Sequence, residues 1–241
     1  MKVINAHWDS RNLGVRCAEV EFENDEQLSS LDELDEAVRG YDYIVAKVPS
    51  TTPWILRALQ RAGFAFVECS VNFRHDLVNI GNTETLELQR RMTRRLVVND
   101  ERREYLFGRI SEGLFTTDRV YLDERFTHEQ AAQRYVSWIK DELDRGAFLY
   151  EVLLDEKEVG FFAYKEIEPG VSYPFLIGLY PECRGRHLGP NLIAESLLLS
   201  RERGCRLSST VVSSNNIAVI KCHELVGSYI HQIQYVFVKH R

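Results

Sequence analysis

The sequence predicts an α+β protein with a mixed α/β sheet, preceded by a small β-α-β-α-β unit. Two observations support this class. Segments in which every second residue is apolar, as in strands, alternate along the chain with segments of helical periodicity. Several helix patterns also end at a glycine that leads into a strand, as at Gly63 and Gly227. Glycine commonly ends a helix because it adopts the left-handed backbone conformation without strain.

The amino-terminal part carries three strand patterns and two helix patterns. The strands are predicted over residues 16–22, 43–48 and 64–73, and the helices over residues 25–39 and 53–62. The second helix begins with Pro53, whose missing N–H costs nothing in a first turn. A polar stretch with asparagines and a glycine follows. We therefore predict a small domain over residues 1–78 and a linker over residues 79–94.

A second domain is predicted over residues 95–241. Its helix patterns cover residues 100–109, 128–145, 192–203 and 216–226. Its strand patterns cover residues 95–98, 148–154, 158–166, 172–180, 206–212 and 229–238. The connection over residues 113–127 is long for a compact domain, which favours a functional loop.

Composition excludes several classes of protein. The chain has 241 residues, of which 44% are apolar and 27% charged, as is typical of soluble globular proteins. Its net charge of −6 argues against a nucleic-acid binder. No apolar run resembles a signal peptide or could span a membrane. The five cysteines include no Cys-x-x-Cys pair, which argues against a metal site. We expect a cytoplasmic protein that binds no metal, nucleic acid or membrane.

Residues 184–189 read Arg-Gly-Arg-His-Leu-Gly and lie between a strand pattern and a helix pattern. Glycine lets the backbone approach a ligand closely. The first N–H groups of a helix have no partner within it, and the helix dipole adds roughly half a positive charge there. Together with the two arginines, these features predict a binding site for an anionic diphosphate. The alternative is an ordinary, solvated basic turn.

This loop resembles that of the GCN5-related N-acetyltransferase (GNAT) superfamily. The family's loop is usually Gln/Arg-x-x-Gly-x-Gly/Ala. Arg184, Leu188 and Gly189 agree with the family's loop, and His187 stands where the middle glycine is usual.

A second family motif follows at the expected distance. In the family it is an asparagine, then small apolar residues, a tyrosine seven places after the asparagine, and a glycine four places further on. Asn216, Ala218 and Gly227 agree with this motif, and His223 replaces the tyrosine. The resemblance covers roughly residues 95–241.

The resemblance implies that acetyl-coenzyme A is the co-substrate. In the family, loop amides hold the pyrophosphate, and the pantetheine arm pairs with the preceding strand. The thioester lies where two parallel strands separate, here residues 172–180 and 206–212. An asparagine also bonds the arm, although Asn216 can instead cap its helix. The residues assigned to the cofactor are Leu176, Ile177, Gly178, Leu179, Arg184, Gly185, Arg186, His187, Leu188, Gly189 and Asn216.

The resemblance further implies direct transfer of the acetyl group to an amine. The family's tyrosine protonates or hydrogen-bonds the departing sulfur, and His223 can take that role. A thiol has a pKa near ~8.5 and histidine near ~6.5, so an imidazolium could deliver a full proton. The alternative is that His223 only fills space. For the general base, the candidates are Glu166, Glu168 and Tyr173, with a backbone-held water as the alternative.

The amino-terminal segment resembles that of the dTDP-fucosamine acetyltransferases. The shared features are the small domain ahead of the transferase unit and residues 8–14, Trp-Asp-Ser-Arg-Asn-Leu-Gly, which are similar to the Trp…Asn-x-x-(Phe/Leu)-Gly stretch of those enzymes, although here only Leu13 separates Asn12 from Gly14. The resemblance implies that Trp8 and Asn12 shape an acceptor pocket, whereas a core tryptophan and a turn asparagine are the alternative. The implied acceptor is a nucleotide-linked amino sugar. Another small amine or a protein N-terminus, a non-catalytic acyl-coenzyme A sensor, and a homodimer remain open.

Overall fold

A computed structural model describes residues 1–24, 31–78, 80 and 88–241 of the chain. Within these ranges, strands and helices alternate for most of the length. The strands are β1 (Lys2–Asn5), β2 (Cys17–Glu21), β3 (Tyr43–Pro49), β4 (Ala65–Asp76), β5 (Met92–Leu96), β6 (Phe148–Leu154), β7 (Lys157–Glu168), β8 (Val171–Leu179), β9 (Leu207–Ser213) and β10 (Tyr229–His240). The helices are α1 (His7–Leu13), α2 (Leu31–Ala37), α3 (Trp54–Arg61), α4 (Asp100–Ser111), α5 (His128–Asp144), α6 (Gly189–Glu202) and α7 (Ile217–Leu225).

All ten strands belong to one mixed sheet, in the order β1-β2-β3-β10-β4-β9-β8-β7-β6-β5. The last strand of the chain, β10, lies between β3 and β4 and pairs antiparallel with both. The fold is therefore the expected mixed α/β class. The division into domains 1–78 and 95–241 stays a prediction, and strands from both sides of it are hydrogen bonded to each other in this sheet.

The described elements follow the sequence patterns except near the amino terminus and the linker. The patterns do not predict β1 and α1, because both are short and β1 has no fully buried residue. Strand β5 begins at Met92, three residues before the predicted start of the second domain, because Met92 is buried and pairs with Leu154. Residues 25–30 of the predicted first helix, and residues 79 and 81–87 of the predicted linker, lie outside the described residues.

Local capping explains where two helices begin. The Asn99 side chain accepts a hydrogen bond from the backbone N–H of Arg102 and starts α4. Thr127 and Gln130 each bond the other's backbone N–H at the start of α5, which satisfies two donors that the helix itself leaves unpaired. The long segment before α5 therefore ends at a defined position.

Helices cover both faces of the sheet. On one face, α4 and α5 pack on the side chains of β6, β7 and β8, and α1 packs on β3 and β10. On the other face, α6 covers β5, β6 and β7, and α2 and α3 cover β2 and β3. None of the helices in the described ranges has both the length and the apolar character needed to cross a membrane.

Gly160 lets β7, β8 and α6 approach closely. A Cβ atom on Gly160 of β7 would lie 2.2 Å from the carbonyl oxygen of Gly178 and 2.6 Å from Cδ2 of Leu192. Real Cβ atoms do not reach such distances, because backbone atoms cannot be displaced cheaply. Glycine at position 160 therefore fixes the distance between β8 and the first turn of α6.

We predict that Gly160→Ala destabilises the protein by about 1–3 kcal/mol, because the added methyl group overpacks this contact. Urea unfolding monitored by circular dichroism measures the change. Gly108→Ala is the control: it lies inside α4, where the added Cβ has nothing within 4 Å apart from the adjoining backbone of its own helix, and alanine favours a helix by up to about 1 kcal/mol. Equal stabilities of the two variants would contradict the prediction.

Candidate active site

The parallel strands β8 and β9 separate soon after they meet. Their pairing is limited to Val171 with Leu207 and Ser172 with Ser208. Beyond these pairs, β8 continues to pair with β7, and β9 continues to pair with β4. The two strands therefore diverge, and the edge of β8 that faces β9 loses its ladder partner. Such an edge offers backbone N–H and C=O groups to a ligand.

Pro174 explains why the strands separate at this place. Proline has no N–H to donate to a ladder, and the pairing of β8 with β7 shifts register next to it. Its carbonyl accepts a hydrogen bond of 2.9 Å from the Thr210 hydroxyl of β9, so a side chain spans the gap that backbone bonds leave. Bulges of this kind re-aim the side chains that follow them.

A cavity of about 660 Å³ opens at the point where the strands diverge. Residues of α1 and α5 line one part of it and residues of α6 and α7 another, and both halves of the chain contribute. Of the residues expected to bind the cofactor or the acceptor or to act in catalysis, those that line it are Trp8, Asn12, Tyr173, Leu176, Ile177, Leu179, Gly189, Asn216 and His223. Those that do not line it are Glu166, Glu168, Gly178, Arg184, Gly185, Arg186, His187 and Leu188.

The loop over residues 184–188 joins β8 to α6 outside this cavity. Two of its residues have the left-handed backbone conformation, Gly185 with φ 73° and His187 with φ 58°. A glycine would adopt it freely, whereas a side chain costs roughly 1–2 kcal/mol. The His187 side chain is exposed, which removes any clash within the protein. Leu188 is buried beneath α6 and anchors the loop.

The two loop arginines have different environments. The Arg184 guanidinium donates a hydrogen bond of 2.9 Å to the carbonyl oxygen of Leu114, which ties the loop to the segment after α4. Arg186 is exposed, next to the start of α6. The loop therefore presents positive charge beside a helix N-terminus at the mouth of the cavity, which is a suitable place for an anionic diphosphate.

Helices α6 and α7 meet at Gly189. A Cβ atom at this position would lie 2.7 Å from the Cys222 sulfur. Asn216 begins α7, and its side-chain oxygen accepts a hydrogen bond of 3.2 Å from the Val219 N–H. Asn216 thus caps its helix and also lines the cavity, so the two interpretations of this residue are compatible.

We predict that Gly189→Ala destabilises the protein by about 1–3 kcal/mol. Adding Cys222→Ala to this variant should recover most of the lost stability, because the clash requires both side chains. Substitutions at contacting residues do not have additive effects on the free energy of unfolding. Urea unfolding of the two single variants and the double variant measures the coupling. Additive effects would show that the close approach does not constrain the site.

His223 is buried at the edge of the cavity. Its ring stacks on Phe73, with centroids 4.7 Å apart and planes inclined by 11°. Its Nδ1 lies 3.3 Å from the Ser228 hydroxyl, and this oxygen lies 3.3 Å from Nδ1 of His75. Burial, assisted by His75, lowers the pKa of His223 to about 4. The imidazole is therefore neutral near pH 7 and can donate one hydrogen bond, but it has no second proton to deliver.

This lowered pKa predicts how stability depends on pH. Below about pH 6.5 the unfolded chain binds a proton at His223 that the folded chain does not bind until about pH 4. Stability should therefore fall as the pH decreases across this interval, and His223 should contribute up to about 3 kcal/mol of the loss. His223→Phe should flatten the curve, whereas His231→Gln, on the exposed part of β10, should not. Urea unfolding at several pH values tests this. A curve unchanged by His223→Phe would contradict it.

The three expected bases are placed differently. Glu166 and Glu168 are exposed at the end of β7, and Glu166 forms an ion pair of 3.6 Å with Arg203. Neither lines the cavity, so their placement gives no support to a role as base. Tyr173 does line it, but burial and the nearby Glu142 raise its pKa to about 12. Its phenol therefore keeps its proton near neutral pH.

Trp8 and Asn12 of α1 lie at the end of the cavity formed by the amino-terminal half. The Asn12 amide donates to the Trp8 carbonyl at 2.7 Å, and its oxygen accepts from the Ser137 hydroxyl at 2.9 Å. Asn12 therefore joins α1 to α5 in addition to lining the cavity. Both side chains keep a structural role beside the predicted role in acceptor binding.

Buried acidic side chains at the same end were not predicted from the sequence. The buried Asp9 carboxylate accepts hydrogen bonds from Arg119 at 2.9 Å and from Arg134 at 2.5 Å, which hold its pKa below the usual range although burial opposes them. Glu68 of β4 is also buried there and accepts a hydrogen bond from the Ser213 hydroxyl. Within the described ranges, no three His, Cys, Asp or Glu side chains converge as metal ligands would.

A sheet that splays beside a basic loop and a helix N-terminus is the arrangement that the resemblance to the GNAT superfamily predicts. Comparison with family models agrees: residues 113–227 match the model described as the acetyltransferase (GNAT) family. This part of the chain belongs to the GNAT family. The more specific likeness to the dTDP-fucosamine acetyltransferases stays a prediction.

Curated relatives include the mycothiol acetyltransferase of Corynebacterium glutamicum strain R, which is 28% identical over 113 residues. This match covers 47% of the chain but only 37% of that relative, so the chain spans well under half of it. A GCN5-related N-acetyltransferase from Sphaerobacter thermophilus is similar in structure, with a TM-score of 0.69, 13% identity, and coverage of 99% of this chain and 75% of that one. A glucosamine N-acetyltransferase region of a fungal multi-domain enzyme has a TM-score of 0.64, 12% identity and coverage of 86% and 27%. These structures show the shared fold.

Proposed function

We propose that the protein is an N-acetyltransferase that moves the acetyl group of acetyl-coenzyme A to the primary amine of a small molecule. The observation that carries this proposal is the separation of β8 and β9 at the mouth of the 660 Å³ cavity. It leaves a free strand edge for an extended cofactor arm and a cavity beyond it for a second substrate.

The cofactor follows from the sequence of features along this edge. The diphosphate would lie on the loop amides of residues 186–189 at the N-terminus of α6. The pantetheine arm would pair with the backbone of residues 176–179 in β8. The thioester would then reach the point of separation near Pro174, where a backbone N–H can polarise its carbonyl oxygen.

The departing sulfur would lie near His223. Because this imidazole is neutral near pH 7, its contribution is a hydrogen bond to the thiolate, which then takes its proton from solvent. A thiol with a pKa near ~8.5 leaves readily enough for this to suffice. The resemblance implied that His223 can protonate the departing sulfur. In this proposal His223 stabilises the leaving group by a hydrogen bond instead.

For the acceptor, we propose an amino sugar. Trp8 and Trp138 give the far end of the cavity flat apolar surfaces, and polar side chains lie between them, as in sites that orient small polar ligands. The names of two relatives, mycothiol acetyltransferase and glucosamine N-acetyltransferase, support a small amine. Arg11 already pairs with Asp141 at 2.6 Å, and Arg119 and Arg134 pair with Asp9. A nucleotide carrier would therefore extend outside the cavity.

We predict acetyl-coenzyme A turnover that depends on an amine. The panel contains glucosamine, a dTDP-linked 4-amino sugar, free amino acids, an aminoglycoside and a peptide with a free N-terminus. Thiol release and the mass of the acetylated product are measured. Amino sugars should exceed the amino acids and the peptide by at least about tenfold in kcat/KM, a difference of roughly 1.4 kcal/mol in transition-state binding.

Each other outcome has a definite meaning. Acetylation of simple amines but of no amino sugar would contradict the acceptor. Acetyl-coenzyme A binding without turnover on the whole panel would contradict the enzymatic proposal and favour an acyl-coenzyme A sensor. The cytoplasmic location and the homodimer stay predictions.

A further inference from the structure

Glu68 lies on the sheet face that forms the floor of the cavity. In β4, it pairs with Val236 of β10, and two residues further along Ser70 lies between Gln234 of β10 and Ser213 of β9. Because alternate residues of a strand share a face, Glu68 and Ser70 point to the same side. Both line the cavity, as do their neighbours in these rows.

This carboxyl differs from the other acidic side chains in the lining. Asp141 is bound to Arg11 at 2.6 Å, Glu142 to Lys165 at 2.7 Å, and Asp118 lies 3.9 Å from Arg134. Among the described residues, Glu68 forms no such ion pair. Within the same residues, its side chain accepts a hydrogen bond from the Ser213 hydroxyl at Oε2. The other oxygen, Oε1, is therefore available to a ligand.

The position of Ser213 relates Glu68 to the reacting bond. Ser213 is the last residue of β9, the strand that diverges from β8. A carboxyl held by Ser213 thus lies beside one wall of the splay. An amine entering from the end of the cavity lined by Trp8 passes over this floor before it reaches a thioester near Pro174.

The surroundings favour a carboxyl that can take up and release a proton. Glu68 is only 7% exposed, and burial raises its pKa above the ordinary value. The Ser213 hydrogen bond, and Arg119 and Arg134 at longer range, oppose this rise, whereas Asp118 adds to it. Lys47 of β3 pairs with Val236 on the side of β10 away from Glu68. Its ammonium group forms an ion pair of 2.6 Å with Glu19.

We propose that Glu68 is the general base of the acetyl transfer. The amine nitrogen forms a bond to the thioester carbonyl carbon, and its proton passes to Glu68 Oε1. The carbon–sulfur bond then breaks and its electron pair leaves with the sulfur. The products are the amide, protonated Glu68 and the coenzyme A thiolate; Glu68 returns its proton to solvent, and the thiolate takes one up. This inference rests on the proposed function and adds the group that removes the proton.

This assignment gives the amino-terminal half of the chain a chemical role. The thioester would be held by β8, after the linker, whereas the base comes from β4, before it. The insertion of β10 between β3 and β4 and the pairing of β4 with β9 are what bring the two together.

The test uses Glu68→Gln, Ser213→Ala and the control Glu101→Gln, an exposed carboxylate of α4 outside the cavity. Glu68→Gln should lower kcat/KM for the amine by about 10²–10⁴-fold, the usual contribution of a general base, and change the acetyl-coenzyme A Kd by less than about twofold, because the cofactor site is intact. Wild-type protein and the control should show a limb of kcat/KM that rises with pH as Glu68 ionises. Glu68→Gln should lose this limb, while the limb due to the amine itself remains.

Ser213→Ala gives an independent measurement. Loss of the donated hydrogen bond disfavours the carboxylate form, so the limb should move to higher pH with little change in the plateau. Should Glu68→Gln fail to fold, this shift decides the matter. An unmoved limb in Ser213→Ala, or a limb that persists in a folded Glu68→Gln at near-normal rate, would overturn the inference. The variants are compared only with an amine that the wild-type protein acetylates. If the wild-type protein acetylates none, the proposed function fails, which is a result distinct from failure of the Glu68 assignment.

Discussion

The short parallel pairing between β8 and β9 is the constraint on which the rest of the site depends. If the ladder continued past Ser172 and Ser208, β8 would have no free edge and the cavity would be closed by hydrogen-bonded strands. Pro174 prevents this, because it cannot donate to a ladder and because Thr210 engages its carbonyl with a side chain. The gap between β8 and β9 therefore follows from the missing N–H of Pro174 and does not require a conformational change.

The edge freed in this way must still be held in place. Strand β7 supports β8 from the other side, and the absence of a side chain at Gly160 lets this pair approach Leu192 of α6. The same kind of contact recurs at Gly189, where the start of α6 meets Cys222 of α7. Close backbone approaches at these places fix the loop, the helix N-terminus and the free edge relative to one another.

Local patterns in the sequence were sufficient for one half of the site. The strand over residues 176–179, the loop that follows it and the start of α6 are contiguous, so strand alternation and a glycine-rich turn predict them directly. Glu68 could not be found in this way. It occupies an ordinary position in an alternating strand, and its environment depends on pairing with residues more than 140 positions away, including Ser213. Asp9 and Arg119, 110 residues apart, illustrate the same limit. Strand alternation also makes Glu166 of β7 look similar to Glu68 of β4, because it does not show that residues of β4 line the cavity whereas those of β7 do not.

The two departures from the family motifs have different physical consequences. At position 187, histidine adopts the backbone conformation that glycine usually supplies, and its exposed side chain leaves the loop geometry unchanged. At position 223, histidine replaces tyrosine in a buried place where its pKa falls to about 4. The imidazole then behaves as a neutral hydrogen-bond donor, which is also what a tyrosine hydroxyl would be near pH 7, since its ordinary pKa is about 10. The replacement of tyrosine by histidine therefore keeps a hydrogen-bond donor for the departing sulfur but does not supply a group that transfers a proton to it. Because a thiolate is a good leaving group, the demanding proton transfer is the one from the amine, and it falls to the side of the cavity where Glu68 lies.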